Sequence, residues 1–225
     1  MQTQTGDALV ARILARPDDE TRGQVANDLL DELFGGYPVE NIRTLLRSGD
    51  DDAVQNGAWL LSELGERADE LLDEVPGLLA HPRLQVRFFA VEFVLLATDE
   101  RHGDVIAHVL TSSRDPDTAI RWKVLHFLAT ASTEQLMAGL SRLTDPEVGR
   151  LTAWLVASDT EDPDPGEVVA GMEGEDPVAR LFAAAISTRM AEDDPALLRH
   201  AARVRDEEIS SFAQWQLGRF EAPPA

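Results

Sequence analysis

Six times along this chain a short polar turn, most often acidic, gives way to a β-branched residue that opens an apolar helical run. The stretches are Asp51-Asp52-Ala53-Val54, Arg83-Leu84-Gln85-Val86, Pro116-Asp117-Thr118-Ala119-Ile120, Asp145-Pro146-Glu147-Val148, Asp176-Pro177-Val178 and Asp206-Glu207-Glu208-Ile209. From Val54 to Ile209 the steps are 32, 34, 28, 30 and 31 residues, the spacing of an α-helical repeat array.

Each period splits into a first and a second helix. First helices such as Ala68-Leu71-Leu72-Val75-Leu78-Leu79 and Leu197-Leu198-Ala201-Val204 place apolar residues at i, i+3, i+4 and i+7, which predicts one buried stripe. Second helices such as Val86-Phe89-Ala90-Phe93-Ala97 follow the turns. Small residues at Ala58, Ala90 and Ala213, each four after the opening Val or Ile, predict close approach of two helix backbones. Asp115, Asp145 and Asp176 each precede a proline, so the acid is expected to cap and the proline to take the first helical position. His81-Pro82 marks the same junction, with no capping side chain expected.

The expected organisation is one all-α domain over 1–225. Residues 1–36 form an atypical, more polar amino-terminal pair, as a repeat array needs at its ends. Central repeats occupy 37–158, and carboxyl-terminal repeats 159–220 follow the acidic, proline-broken stretch Asp159–Gly166, a hinge or a solvated connection. A tail of 221–225 lacks apolar anchors.

Charge restricts the partners. Lys plus Arg total 20 against 41 Asp plus Glu, a net charge of −21. A protein binds a nucleic-acid backbone by replacing counterions with its own cations, so this balance argues against DNA or RNA and for a basic protein. No cysteine is present, which excludes disulfides and thiolate metal sites. No stretch reaches the roughly 18 apolar residues of a spanning helix, and no secretory signal is visible; a soluble, cytoplasmic protein is expected.

The turn pattern resembles the HEAT-repeat superfamily, in particular its bacterial short-repeat branch, whose members carry Asp-Pro-x-Val-Arg-x-x-Ala at the start of each second helix. The nearest matches are His81-Pro82-Arg83-Leu84-Gln85-Val86-Arg87-Phe88-Phe89-Ala90 and Asp115-Pro116-Asp117-Thr118-Ala119-Ile120-Arg121. Asp145-Pro146-Glu147-Val148 and Asp176-Pro177-Val178-Ala179-Arg180 keep the turn but move or lose the arginine. The resemblance spans Val39 to Leu217 and implies a right-handed α-α superhelical solenoid of about seven helix pairs, with the second helices on its concave side. It leaves activity open, because the superfamily includes scaffolds, adaptors, lyase-like proteins and DNA glycosylases.

Chemical signatures are sparse. The histidines His81, His102, His108, His126 and His200 contain no zinc-helix pair, and Asp104 with His108 reads as a solvated charge pair. Asp50-Asp51-Asp52 lacks the alternating ligands and terminal glutamate of a calcium loop. Gly35-Gly36 ends a helix and is no phosphate loop. Neither a catalytic set, a metal site nor a cofactor is expected. A glycosylase needs aromatics with a carboxylate; the tryptophans are Trp59, Trp122, Trp154 and Trp215, but His126 stands one turn beyond Trp122.

Aligning the second helices on their opening Val or Ile gives a more useful row. Positions two and six further on read Asn56/Leu60, Phe88/Glu92, Trp122/His126, Arg150/Trp154, Arg180/Ala184 and Ser211/Trp215. Aromatics interleaved with arginine have the composition of binding hot spots, or else fill joints between repeats. The expected partner-binding residues are therefore Phe88, Glu92, Trp122, His126, Arg150, Trp154, Arg180 and Trp215. The function expected is a non-enzymatic scaffold or adaptor that grips a basic protein. An immunity or antitoxin protein blocking a basic toxin is one concrete version, and a HEAT-like glycosylase or lyase-type enzyme is the rival. A positive groove built from Arg87, Arg121, Arg150 and Arg180 would favour nucleic acid.

Overall fold

Long second helices alternate with short, partly 3₁₀ first helices along the protein, and no strand occurs among the described residues. The computed structural model describes residues 2–15, 19–161, 163–192 and 194–221, and divides into two compact units, Met1–Thr98 and Asp99–Ala225. The tail beyond 221 and Asp162 of the acidic loop fall outside the described residues.

The first unit runs α1 (Gln2–Leu14), α2 (Asp19–Phe34), a 3₁₀ turn into α3 (Arg43–Leu46), α4 (Asp51–Leu64), the 3₁₀ stretch Gly65–Glu74 leading into α5 (Val75–Leu79), and α6 (Leu84–Ala97). Pro76 explains the 3₁₀ stretch, since its ring would clash with the Leu72 carbonyl and it has no N–H to give there. Val75 instead closes a tighter turn onto Leu72, and Ala68 kinks at φ −112° and ψ 17°. Gly35-Gly36 does end α2: Tyr37 N–H reaches Glu32 O at 2.9 Å while Gly36 adopts φ +102°, a conformation that suits glycine. The buried Tyr37 ring lies against Gly6 of α1, and its hydroxyl donates to Asp7 at 2.8 Å. Helices α4 and α6 pack closely, with Ala58 and Ala90 wholly buried, as their small size predicts.

The second unit runs α7 (Gly103–Thr111), α8 (Thr118–Thr130), α9 (Thr133–Leu140), α10 (Pro146–Ala157), α11 (Pro165–Glu173), α12 (Pro177–Arg189), α13 (Ala196–Ala201) and α14 (Glu207–Glu221). First helix α7 packs on first helix α9, and α11 on α13, as sequential stacking predicts. The second helices depart from it. Helix α8 packs against α12 and α14, and α10 and α14 also lie on α12. Residues Leu181 to Thr188 of α12 are buried without interruption, so this helix has no solvent face along most of its length. Its Ala183-Ala184-Ala185 run lets neighbours approach, and Ser187 and Thr188 satisfy their hydroxyls on Ala184 O of the same helix. Arg189 ends α12 and donates to Leu128 O and Ala131 O, carbonyls left over at the end of α8. Helices α8 and α12 therefore end side by side.

The turns explain where the second helices start. Asp145 and Asp176 cap α10 and α12 with proline at the first helical position, as expected. Asp115 does not cap α8. Its carboxylate accepts the Asp117 N–H at 2.8 Å, and Asp117 caps the helix by accepting from Ala119 N–H at 2.9 Å. His81 plays the part of Asp115 in its own turn, with Nδ1 accepting the Arg83 N–H at 3.1 Å. As expected, no side chain caps α6 at this junction; the imidazole closes the turn that precedes it.

Counted from the capping residue, the recurring arginine always stands four places on, at Arg87, Arg121 and Arg180. Each folds back so that one Nη1 donates to two carbonyls of its own turn. The acceptors are His81 O and Pro82 O (3.0 and 3.1 Å), Asp115 O and Pro116 O (2.9 and 3.2 Å), and Gly174 O and Glu175 O (2.9 and 3.0 Å). Arg121 adds a forked pair to Glu208, and Arg180 reaches Asp206, tying the first turns of α8 and α12 to that of α14. Removing one partner of a mostly buried ion pair strands the other. Arg121→Met is expected to lower stability by about 3 kcal/mol, whereas Arg150→Met, at an exposed pair with Glu147, should stay within roughly 0.5 kcal/mol. Urea denaturation at neutral pH measures both, and equal costs would refute the role given to the turn arginine.

Candidate partner-binding site

Helix caps fix the phase of a helix, and the caps rearrange the expected row. Counted from the capping residue, Val178 opens its helix one place earlier than Ile120, so the residue matching Trp122 on α12 is Leu181 and not Arg180. Leu181 is buried. The Arg180 guanidinium is held by its turn carbonyls and Asp206.

Trp122, His126 and Trp215 come together because α14 lies on α8. The Trp122 and Trp215 rings are 5.2 Å apart at 60°, and His126 meets Trp215 edge-on at 5.3 Å. Phe212, fully buried, closes the cluster from beneath at 5.5 Å from Trp122 and 5.8 Å from Trp215. Pairs in such tilted and edge-on arrangements add to the burial of their area. Trp215 keeps 38% of its surface, and the Arg219 guanidinium lies over its ring at 5.0 Å.

Trp154 stands apart from this cluster. Its ring packs on Gly171 of α11, where an added Cβ would lie 3.1 Å from Cη2, so it fills the joint between α10 and α11. Arg150 is exposed and pairs with Glu147 at 2.6 Å. In the first unit Phe88 packs edge-on against Phe89 at 5.9 Å, both half-buried on α6, and Glu92 is half-buried one turn further on. Trp59 is half-buried on α4.

Below the aromatic cluster lies Glu208, the acid that sequence reasoning passed over. Burial pushes its carboxyl above the usual range, and the ion pair with Arg121 offsets this only in part. Its Oε2 accepts from Arg121 at 2.7 Å, while Oε1 is buried without a hydrogen bond. Asp159 behaves oppositely. Burial works to raise its pKa, but hydrogen bonds from Arg189 and from the Thr133 hydroxyl bring it below the usual range. The start of the acidic loop is thus anchored to α9 and α12.

Among the described residues no group of three or more His, Cys, Asp or Glu could hold a metal ion. Asp104 approaches Arg142 at 3.5 Å, and Asp50 caps α4 by accepting the Asp52 N–H. No helix is long and apolar enough to cross a membrane, among the described residues. Of the residues that shape the aromatic site, Arg219 had a legible signal, four places after Trp215 on one helix face. Glu208 and Arg121 are 87 residues apart and had none.

The two kinds of tryptophan should separate in stability. Trp154→Ala is expected to cost about 3 kcal/mol or more as a joint filler is lost, and Trp215→Ala much less, read by chemical denaturation. Acid should discriminate the two carboxylates. A depressed carboxyl stabilises the fold above its unfolded pKa and loses that contribution as pH falls through the folded value; a raised carboxyl works with the opposite sign. Asp159→Asn should therefore flatten the fall in Tm between about pH 5 and pH 2, and Glu208→Gln should steepen it. A matching response from both variants would contradict the assignment.

No family model and no curated protein matches the sequence. Among solved structures, the fold is similar to that of an engineered protein determined by the Northeast Structural Genomics Consortium, with a TM-score of 0.49 and 16% identity over 96% of each chain. A likeness at that level says nothing of function.

Proposed function

We propose that this is a non-enzymatic binding protein, built from HEAT-like helix pairs in a short right-handed superhelix, which holds a basic protein partner. The observation that carries the reading is the Trp122–His126–Trp215 cluster, with its half-exposed tryptophan under Arg219. Rigid aromatics beside arginine make strong anchors, since they bring large contact area at low entropic cost. The turn arginine recurring at the same place after the cap, in three turns, supports the repeat reading. In the second unit the superhelix would have to be tight, since α8 reaches α12 and α14.

A basic protein is favoured over nucleic acid by where the arginines go. Arg121 and Arg180 are taken up by turn carbonyls and carboxylates, Arg87 donates to its own turn, and Arg150 pairs with Glu147. Such cations are not available to replace the counterions of a phosphate backbone. The net charge of −21 speeds the approach of a basic partner instead, through an attraction that salt weakens. Inhibition of a basic toxin is a narrower version of the same reading.

The test uses the full chain as bait in the source lysate at low and high salt, beside Trp215→Glu. A partner captured at low salt, weakened at high salt and lost with Trp215→Glu is the expected result. Recovery of the same proteins by both baits, or of none at either salt, would overturn it.

A further inference from the structure

Where α8 and α12 end, beside α14, a cavity of about 520 Å³ opens one residue beyond the exposed tryptophan. Its size falls within the roughly 300–1,000 Å³ that ligand pockets occupy. Gln216 lines it and is 5% exposed. Of the other buried polar side chains, Ser62, Thr152, Ser187 and Thr188 each bond a carbonyl three or four residues back on their own helix, and the Ser113 hydroxyl is buried without a hydrogen bond. The Gln216 amide makes no hydrogen bond with the described residues.

A primary amide offers two N–H donors and a carbonyl acceptor, and burying them unpaired weakens a fold. The Gln216 side chain is buried but its amide opens on the cavity, so an apolar residue of similar size would cost the fold little there. What the amide does provide is a donor and an acceptor, side by side, facing the cavity. On the same wall the Thr130 and Thr188 hydroxyls donate inward, to His126 O and Ala184 O, which leaves their lone pairs toward the space. Glu192 and Arg219 stand on its lining with no ion pair among the described residues, one charge of each sign. Arg189 is committed to Asp159 and the α8 carbonyls.

We infer that this cavity seats an extended peptide segment of the partner, with the Gln216 amide paired to a main-chain amide and Glu192 holding a basic side chain. The inference rests on the partner-binding reading above and names the part of the partner that is gripped. A peptide bond carries the N–H and C=O that complement a primary amide. The mixed charge, with the Glu192 and Asp159 carboxylates in the lining, is unsuited to a polyphosphate chain. Arg219, which lines this space, covers the Trp215 ring, so a segment seated here would pass beside the aromatic anchor.

The experiment probes an array of capped short peptides of mixed sequence with the full chain, and measures the best binders in solution with Gln216→Leu, Glu192→Arg and Trp215→Ala. The wild type should select peptides containing Lys or Arg. Gln216→Leu should weaken them about tenfold, the loss of one amide pairing, while its thermal midpoint stays level or rises. Glu192→Arg should remove the preference for basic peptides. A clearly lowered midpoint for Gln216→Leu would make the amide a structural group and sink the inference. Binding lost with Trp215→Ala but unchanged in the other two variants would sink it too, and would leave the aromatic surface standing. If the array binds nothing, the cavity is not a peptide site, and the lysate experiment alone decides the wider reading.

Discussion

Burial of α12 on every side is the constraint from which the second unit takes its form. A helix surrounded by α8, α10, α11, α13 and α14 must be apolar or small all round, and Leu181-Phe182-Ala183-Ala184-Ala185-Ile186-Ser187-Thr188 meets that requirement. The alanines shorten the distance to neighbouring helices, and the two hydroxyls are satisfied within the helix itself. Once α12 occupies the centre, α8 and α14 are brought to one another across it. The meeting of Trp122 with Trp215 is a consequence, as is the joining of Arg121 to Glu208.

Several arginines serve the fold itself. In a chain with twice as many acids as cations, guanidinium groups close turns at Arg87, Arg121 and Arg180, finish α8 through Arg189, and pair the first helices through Arg43 and Arg47 with Glu74. A fork of donors can serve two carbonyls and a carboxylate at once, which an ammonium group cannot do in the same plane. Such use leaves the outer surface with its acid excess. Gln216, Glu192 and Arg219, which make no ion pair or hydrogen bond among the described residues, line one cavity near the exposed tryptophan.

How much was legible varied with the range of the interaction. Turns, caps and second helices follow from Asp-Pro signals and from local apolar spacing, and Ala58 with Ala90 announced the tight α4–α6 contact. On α12 the opening Val178 stands two places after the capping Asp176, where Ile120 stands three after Asp117, so a row aligned on opening residues slips by one there. Arg180 therefore stands out of phase with the rest of that row. The uncapped start of α6 after His81-Pro82 was legible, while the imidazole's part in closing the turn shows only in the structure. Trp154 shared a helical position with Trp215 but packs on Gly171, a small residue whose meaning depends on its neighbour.

The chain by itself determined that it would be helical, in pairs, with acid and proline at the starts of the long helices, since those signals act over a few residues where backbone geometry and hydrogen bonding are local. Tertiary structure alone decided which second helices touch. Helix faces of similar width and apolarity can be paired in several ways, and volume at the joint selects among them. For that reason the alanine-rich α12 took the centre, and an aromatic cluster arose from residues 93 positions apart in Trp122 and Trp215.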